Sequence, residues 1–369
     1  MQMHLFIVNE RTLPIHLEYG FAGFLGKSDA MWHAHTDASK ERAQASLYAD
    51  VCRVRQGDEL LFYLETPSHD VGREGGRFLG VFEVVSALPF YEQRGTYLQQ
   101  ALGVPLIYRM LIRPKEIFQQ GLTEWQAMDE MSDFRSVHDI PWTLIYRKMV
   151  GKRGCTPLLP HEARILRKML DLRNAGQRIN SATIAFDVNN VHLIPGGATT
   201  PYQGQMNVFT RIDQHLQNLI AAGQRKWELQ LQAYLMQEIG RNQTLTQLLF
   251  PNVNLTWVGN EIYAGAGTQR IDVLVYTENG INTFINLLEL KSVTADADAA
   301  AQMNRYIKWL RAHIPDISIH QIVPILIAPA ANQVFHDDMK VYLRGHGINQ
   351  YKVITIDQHL VFTPTVHYV

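Results

Sequence analysis

Arg270-Ile271-Asp272-Val273-Leu274-Val275-Tyr276-Thr277-Glu278-Asn279-Gly280-Ile281-Asn282-Thr283-Phe284-Ile285-Asn286-Leu287-Leu288-Glu289-Leu290-Lys291 is the stretch that decides the fold of the C-terminal half of this chain. Two apolar runs flank a turn at Glu278-Asn279-Gly280, which predicts a β-hairpin. Strand side chains alternate between faces, so Glu289 and Lys291 share a face and Leu290 points away. A loop centred on residues 280 and 281 sets Asp272 opposite Glu289. Two carboxylates at pairing distance repel, and burying either one alone is costly. A divalent cation between them, with Lys291 beside it, accounts for all three charges. Hard oxygen donors suit Mg²⁺, with Mn²⁺ able to substitute, and the Leu290 carbonyl adds a third protein oxygen. Lys291 would then orient an attacking water or offset charge on a scissile phosphate.

With Asp272 and Glu289-Leu290-Lys291 in these places, the segment resembles the PD-(D/E)xK nuclease superfamily. The next helical stretch carries Gln302-Met303-Asn304-Arg305-Tyr306, with Gln302 and Tyr306 one turn apart on one face. This is similar to the QxxxY element of the RecB-like and NucS-type branch, and the resemblance implies that the face lines the active site and contacts DNA. The earlier run Glu228-Leu229-Gln230-Leu231-Gln232-Ala233-Tyr234-Leu235 resembles the first helix of NucS-type domains, which supplies an acid to the metal site. Glu228 is the candidate and Glu238 the rival. The family pattern often has a second acid where Gln232 stands. The resemblance spans residues 224 to 357 and implies a restriction-endonuclease-like α/β sandwich with a mixed sheet.

Periodicity around this core gives one helical stretch over Met206–Ile239 and strands at Leu255–Val258, Arg270–Tyr276 and Phe284–Lys291. A helix over Asp296–His313, a strand at Ile322–Ala328, a helix over Phe335–Gly345 and a strand at Tyr351–Ile356 follow.

The first ~150 residues read as mostly β. Strands are expected at Leu5–Val8, Asp58–Leu64, Phe78–Val85 and Leu106–Ile112, the last closed by Pro114, with a helix over Pro160–Asn174. The run Val54-Arg55-Gln56-Gly57-Asp58-Glu59-Leu60-Leu61-Phe62-Tyr63-Leu64, then Gly76-Arg77-Phe78-Leu79-Gly80-Val81-Phe82-Glu83-Val84-Val85, resembles an EVE or related PUA-like domain. That resemblance implies a small β-barrel with helices and a pocket for a flipped, modified base. Trp32, Tyr63 and Trp142 are candidates for the flat walls that base stacking needs. His33, His35 and Asp37 fit neither a zinc finger nor a helical HxxxH pair.

Composition sets the frame. A chain of 369 residues accommodates two domains, and 46% hydrophobic with 19% charged residues describes a folded protein rather than a disordered one. The net charge of -1 gives no global basic field, so any nucleic-acid surface must be local. Two cysteines, Cys52 and Cys155, make neither a disulfide framework nor a zinc knuckle. No apolar run reaches membrane-spanning length, and the expectation is a cytoplasmic protein.

The resulting division is a reader domain over 1–155, a helical and irregular linker over 156–223 and a nuclease domain over 224–369. The expected activity is a Mg²⁺-dependent endodeoxyribonuclease on double-stranded DNA, reading a modified cytosine as a modification-dependent restriction enzyme of a defence system. A homodimer would place two active sites on one duplex. The alternatives are a NucS-type mismatch or structure-specific nuclease and a nucleic-acid binder with an inactive nuclease fold.

Overall fold

A computed structural model of the chain describes residues 2–25, 38–65, 75–93, 97–129, 143, 154–209, 211–265, 269–315, 318 and 321–369. Two compact units emerge: Met1–Trp32 with Val54–Thr210, and His33–Arg53 with Arg211–Val369. Both mix helices and strands, as expected. Among the described residues no helix is long and apolar enough to cross a membrane.

The first unit opens with β1 (Met3–Val8), α1 (Thr12–Tyr19) and β2 (Phe21–Phe24). Gly20 ends α1 at φ +59°, a left-handed position that glycine takes without a Cβ penalty. The next helix, α2 (Ala38–Arg53), belongs to the second unit. The first unit resumes with β3 (Glu59–Leu64), β4 (Arg77–Val84), β5 (Phe90–Tyr91), α3 (Gln99–Leu102), β6 (Tyr108–Glu116), β7 (Leu122–Thr123) and α4 (Glu124–Asp129). It closes with β8 (Cys155–Leu158), α5 (Pro160–Arg173), β9 (Ile184–Asp187), β10 (His192–Pro195) and β11 (Asn207–Val208).

Its main sheet runs β11-β5-β6-β4-β3-β1-β8, with β2 added to β6 and β7 to β4. Strand β6 pairs with β2 and β5 at one end and β4 at the other, so it turns the corner of the barrel-type sheet. Pro114 does not close this strand as expected. It lies within β6 opposite Phe82, where the register shifts between Val81 and Phe82, and a bulge tolerates a residue without an amide hydrogen.

The expected linker also changes. Residues 156–209 fold into the first unit, because β8 pairs antiparallel with β1 and α5 buries Leu166 and Leu170 beside Leu5, Leu61 and Phe78. Apolar side chains that complete an existing core cannot remain a linker without exposing that surface.

The second unit contains α2, α6 (Asp213–Ala221), α7 (Glu228–Glu238), α8 (Gln243–Leu249), β12 (Asn254–Tyr263), β13 (Arg270–Asn279) and β14 (Asn282–Leu290). Then follow α9 (Ala297–His313), β15 (Ile322–Ala328), α10 (Gln333–His346), β16 (Gln350–Ile356) and β17 (Phe362–Tyr368). The long helix expected over Met206–Ile239 is therefore interrupted. Gly223, at φ +67°, follows α6, and α7 starts afresh at Glu228.

The six strands lie in chain order, antiparallel from β12 to β14, parallel from β14 to β16, and antiparallel at β17. This is the expected mixed sheet. The central strands β14 and β15 are almost wholly buried, which explains their near-continuous apolar runs. Helix α7 packs against β12 and β14, and α2 lies along α7 and β12. Helix α9 crosses from β14 to β15 and packs against β14 and α10.

Candidate active site

The hairpin register is the one the spacing predicts. Asn279 pairs with Asn282, and the pairing runs without a shift to Val273 opposite Leu288, which brings Asp272 to the level of Glu289. Gly280 takes φ +62° at the first loop position, where a two-residue hairpin turn of the II′ kind calls for glycine.

Asp272, Glu289 and Lys291 meet where β14 ends. The Leu290 amide donates to Asp272 Oδ2 at 2.8 Å, and Lys291 Nζ donates to Glu289 Oε1 at 2.5 Å. Glu289 is 0% exposed, and its other oxygen, Oε2, is buried without a hydrogen-bond partner among the described residues. Burial pushes the Glu289 carboxyl up to about 7, against the pull of Lys291, with Glu228 adding to the rise. Asp272 is driven well above the usual carboxylate range by burial and by the Glu289 charge. Lys291 moves the other way from a typical buried amine. Burial would lower it, yet the attraction of Glu289, Asp272 and Glu228 outweighs that and raises it. All of these directions describe a site with more negative charge than it can hold alone.

Helix α9 supports the lysine. Gln302 Oε1 accepts from Lys291 Nζ at 3.1 Å, and Gln302 Nε2 donates to the Tyr306 hydroxyl at 2.6 Å. That hydroxyl in turn donates to the Arg270 carbonyl on β13. The one-turn spacing of Gln302 and Tyr306 thus builds a relay from β13 to the ammonium. Tyr306 is 1% exposed, so its hydroxyl is engaged within the protein.

Glu228 joins the site from the first turn of α7. Its Oε1 accepts from the Ser292 amide at 3.1 Å and from Ser292 Oγ at 3.2 Å, one residue beyond Lys291. Glu238, at the other end of α7, instead accepts from Asn242 Nδ2 at 3.0 Å and faces Arg211 at 3.5 Å. The geometry therefore places Glu228, and not Glu238, with the triad. Ser292 was not legible as a participant beforehand; its only signal is its position directly after Lys291.

Among the described residues no group of three His, Cys, Asp or Glu side chains could by itself hold a metal ion. The donors present do fit a cation that shares its shell with solvent. Mg²⁺ commonly takes one or two carboxylates and completes its octahedron with water and phosphate oxygens. The unpartnered Oε2 of Glu289 beside Asp272 supplies that type of donor.

Of the expected base-pocket residues, Tyr63 alone lies among the described residues. Trp32 and Trp142, with His33, His35 and Asp37, lie outside the described residues. Tyr63 is 4% exposed and packs against Phe78 with ring centroids 5.2 Å apart. A Cβ at Gly76 would lie 2.2 Å from the Tyr63 ring and hydroxyl, so the glycine there makes room for that side chain. A separate cavity of about 180 Å³ is lined by His16, Phe82, Arg113 and Thr183 among others, and no sequence motif signalled it.

No family model and no curated protein matches the chain. Among solved structures, a repair endonuclease from Pyrococcus abyssi is 22% identical over 30% of this chain and 41% of its own, with a TM-score of 0.22. A complex of EndoMS with double-stranded DNA is 23% identical over 30% of this chain and 39% of that one, with a TM-score of 0.22. Human THYN1 in complex with DNA containing 5-methylcytosine is 10% identical over 46% of this chain and 98% of that one, with a TM-score of 0.28. The chain spans about two fifths of the length of the endonuclease structures it matches.

Proposed function

We propose that this chain is a Mg²⁺-dependent DNA endonuclease whose active site is Asp272, Glu289 and Lys291, with Glu228 beside them. The observation that carries the proposal is the buried carboxylate pair. Glu289 holds one oxygen on Lys291, its other oxygen has no partner among the described residues, and Asp272 sits at the same level of the adjoining strand. Asp272, Glu289 and the Leu290 carbonyl would hold the cation, and Glu228 would reach it directly or through a water. Bound there, Mg²⁺ would supply charge for the scissile phosphate and a more acidic water.

The chain's own residues do the remaining work. The Leu290 amide fixes Asp272, while Glu289 and Gln302 hold the Lys291 ammonium between them. Lys291, so held, is placed to orient the attacking water or to offset phosphate charge. Arg305, Lys308 and Arg311 are exposed at three-residue intervals on α9, the helix that also carries Gln302 and Tyr306. They offer phosphate contacts on a chain whose net charge is only -1.

The first unit is proposed as the reader of a modified, flipped cytosine, which makes the whole a modification-dependent restriction enzyme acting as a homodimer. The test is cleavage of unmodified DNA against DNA carrying 5-methylcytosine or 5-hydroxymethylcytosine, with and without Mg²⁺. Mg²⁺-dependent cutting of modified DNA that is lost in Asp272→Ala and Lys291→Ala supports the proposal. Equal cutting of both substrates, with preference for a mismatched duplex, removes the modification reading. Variants that cut as well as the parent remove the site.

A further inference from the structure

We propose that Gln232 is a positioning residue for Asp272, held in place by a buried polar bracket that helix α2 provides. This rests on the nuclease reading above. Gln232 Nε2 donates to the Asp272 main-chain carbonyl at 2.9 Å. Asp272 is thus held from two directions, by Gln232 at its carbonyl and by the Leu290 amide at its carboxylate. The other end of the Gln232 amide, Oε1, accepts from Asn260 Nδ2 at 3.4 Å. Asn260 stands on β12 opposite Val273, next to Asp272 in the sheet.

Asn260 is in turn fixed from α2. Its Nδ2 donates to Asp50 Oδ1 at 3.1 Å, and Arg53 donates to its Oδ1 while pairing with Asp50 at 3.1 Å. Gln232, Asn260, Asp50 and Arg53 are all at most 2% exposed. A fully buried guanidinium and carboxylate are tolerated only when paired and hydrogen-bonded, and such a network has few alternative arrangements. The consequence is a rigid line from α2 through Asn260 and Gln232 to the backbone of the candidate metal ligand.

This accounts for the residue type at 232. An amide of that length donates at one end and accepts at the other, and the site uses both. A carboxylate there would set an oxygen against the Asp272 carbonyl, next to a carboxylate pair that already carries excess negative charge. Helix α2 comes from the front of the sequence, between two strands of the first unit, yet packs within the second. It is therefore part of the catalytic unit by its interactions, and a chain starting at Arg211 would lack it.

The test uses the full chain with Gln232→Met, which keeps the length but removes both polar ends, and Gln232→Glu, which keeps the shape and the acceptor. Three quantities are read: kcat and KM for DNA cleavage with Mg²⁺, Mn²⁺ affinity by calorimetry, and the thermal transition. The expected result is that both variants lose about tenfold in kcat and in Mn²⁺ affinity, roughly the loss seen when a metal ligand's supporting contact is removed, while KM stays within about twofold. If Gln232→Met loses its cooperative transition, Gln232→Glu decides the matter. Parent-like kcat and Mn²⁺ affinity in the variants overturn the positioning role while the nuclease reading stands. Recovery by Gln232→Glu alone also overturns it, because charge rather than the donated hydrogen bond would then be what matters. A parent protein that neither binds Mn²⁺ nor cuts DNA overturns the nuclease reading and the positioning role together.

Discussion

Tyr306→Phe separates two roles for the helix that follows Lys291. The substitution removes one oxygen and keeps the ring, which is 1% exposed. That oxygen accepts from Gln302 at 2.6 Å and donates to the Arg270 carbonyl, and Gln302 accepts from Lys291 at 3.1 Å. A buried donor or acceptor left without a partner costs about 1–3 kcal/mol. Gln302 is only partly buried and can turn towards water, so about 1–2 kcal/mol of stability is the expected loss. Lys291 keeps its 2.5 Å bond to Glu289 but loses the support behind Gln302. A rate fall of about tenfold follows, equivalent to about 1.4 kcal/mol in the barrier, with DNA affinity unchanged. Single-turnover cleavage at saturating Mg²⁺ reads the rate, fluorescence anisotropy reads DNA affinity, and urea unfolding reads stability. An unchanged rate would refute the relay. A loss of DNA affinity with an intact rate would show instead that the tyrosine contacts DNA.

Asp272→Asn and Lys291→Met should each lower cleavage by about a hundredfold or more, whereas Glu238→Gln should leave it within about twofold; a large defect in Glu238→Gln would reassign the helix acid. Replacing Arg305, Lys308 and Arg311 together with Gln should flatten the plot of log DNA affinity against log salt by about 2–3, at roughly 0.9 per lost phosphate contact. An unchanged slope places the DNA elsewhere. His16 gives a pH test in the first unit. Burial, then the nearby Arg109 charge, lowers its imidazole from 6.5 to about 3, and a bond to the Phe21 carbonyl offsets this only in part. A base that is harder to protonate when folded contributes stability that is full above 6.5 and is lost as pH falls towards 3. At about 1.4 kcal/mol per unit, roughly 2 kcal/mol disappears between pH 6.5 and 5. Urea unfolding of His16→Phe should lack that slope, and an identical slope in parent and variant would contradict it.

Local patterns were legible wherever one periodicity dominated. The strand Ile322–Ala328 was readable because its apolar run has a local cause. The hairpin was readable to the residue, since one turn and an uninterrupted ladder fix every pair beyond it. Pro114 misled because a bulge suspended the usual rule for proline in a strand, and bulges depend on the partner strand. The segment after Cys155 looked like a linker because its partners, β1 and the core around Leu5 and Phe78, lie more than seventy residues earlier.

The triad follows from local relations along the chain. Alternation along β14 and the length of the turn put Asp272, Glu289 and Lys291 together, and a helical repeat set Gln302 and Tyr306 on one face, which the resemblance to the QxxxY element assigned to the site. These are short-range relations, set by backbone geometry that every chain shares. Glu228 and Glu238 lie on one helix, and it takes the docking of that helix to show which end meets Ser292. The tertiary structure also revealed that α2 belongs with the sheet of the second unit and that Asp50 and Arg53 reach Asp272 through Asn260 and Gln232. Burial and charge pairing between residues two hundred positions apart leave no periodic trace, because they depend on which surfaces meet rather than on how any one segment repeats.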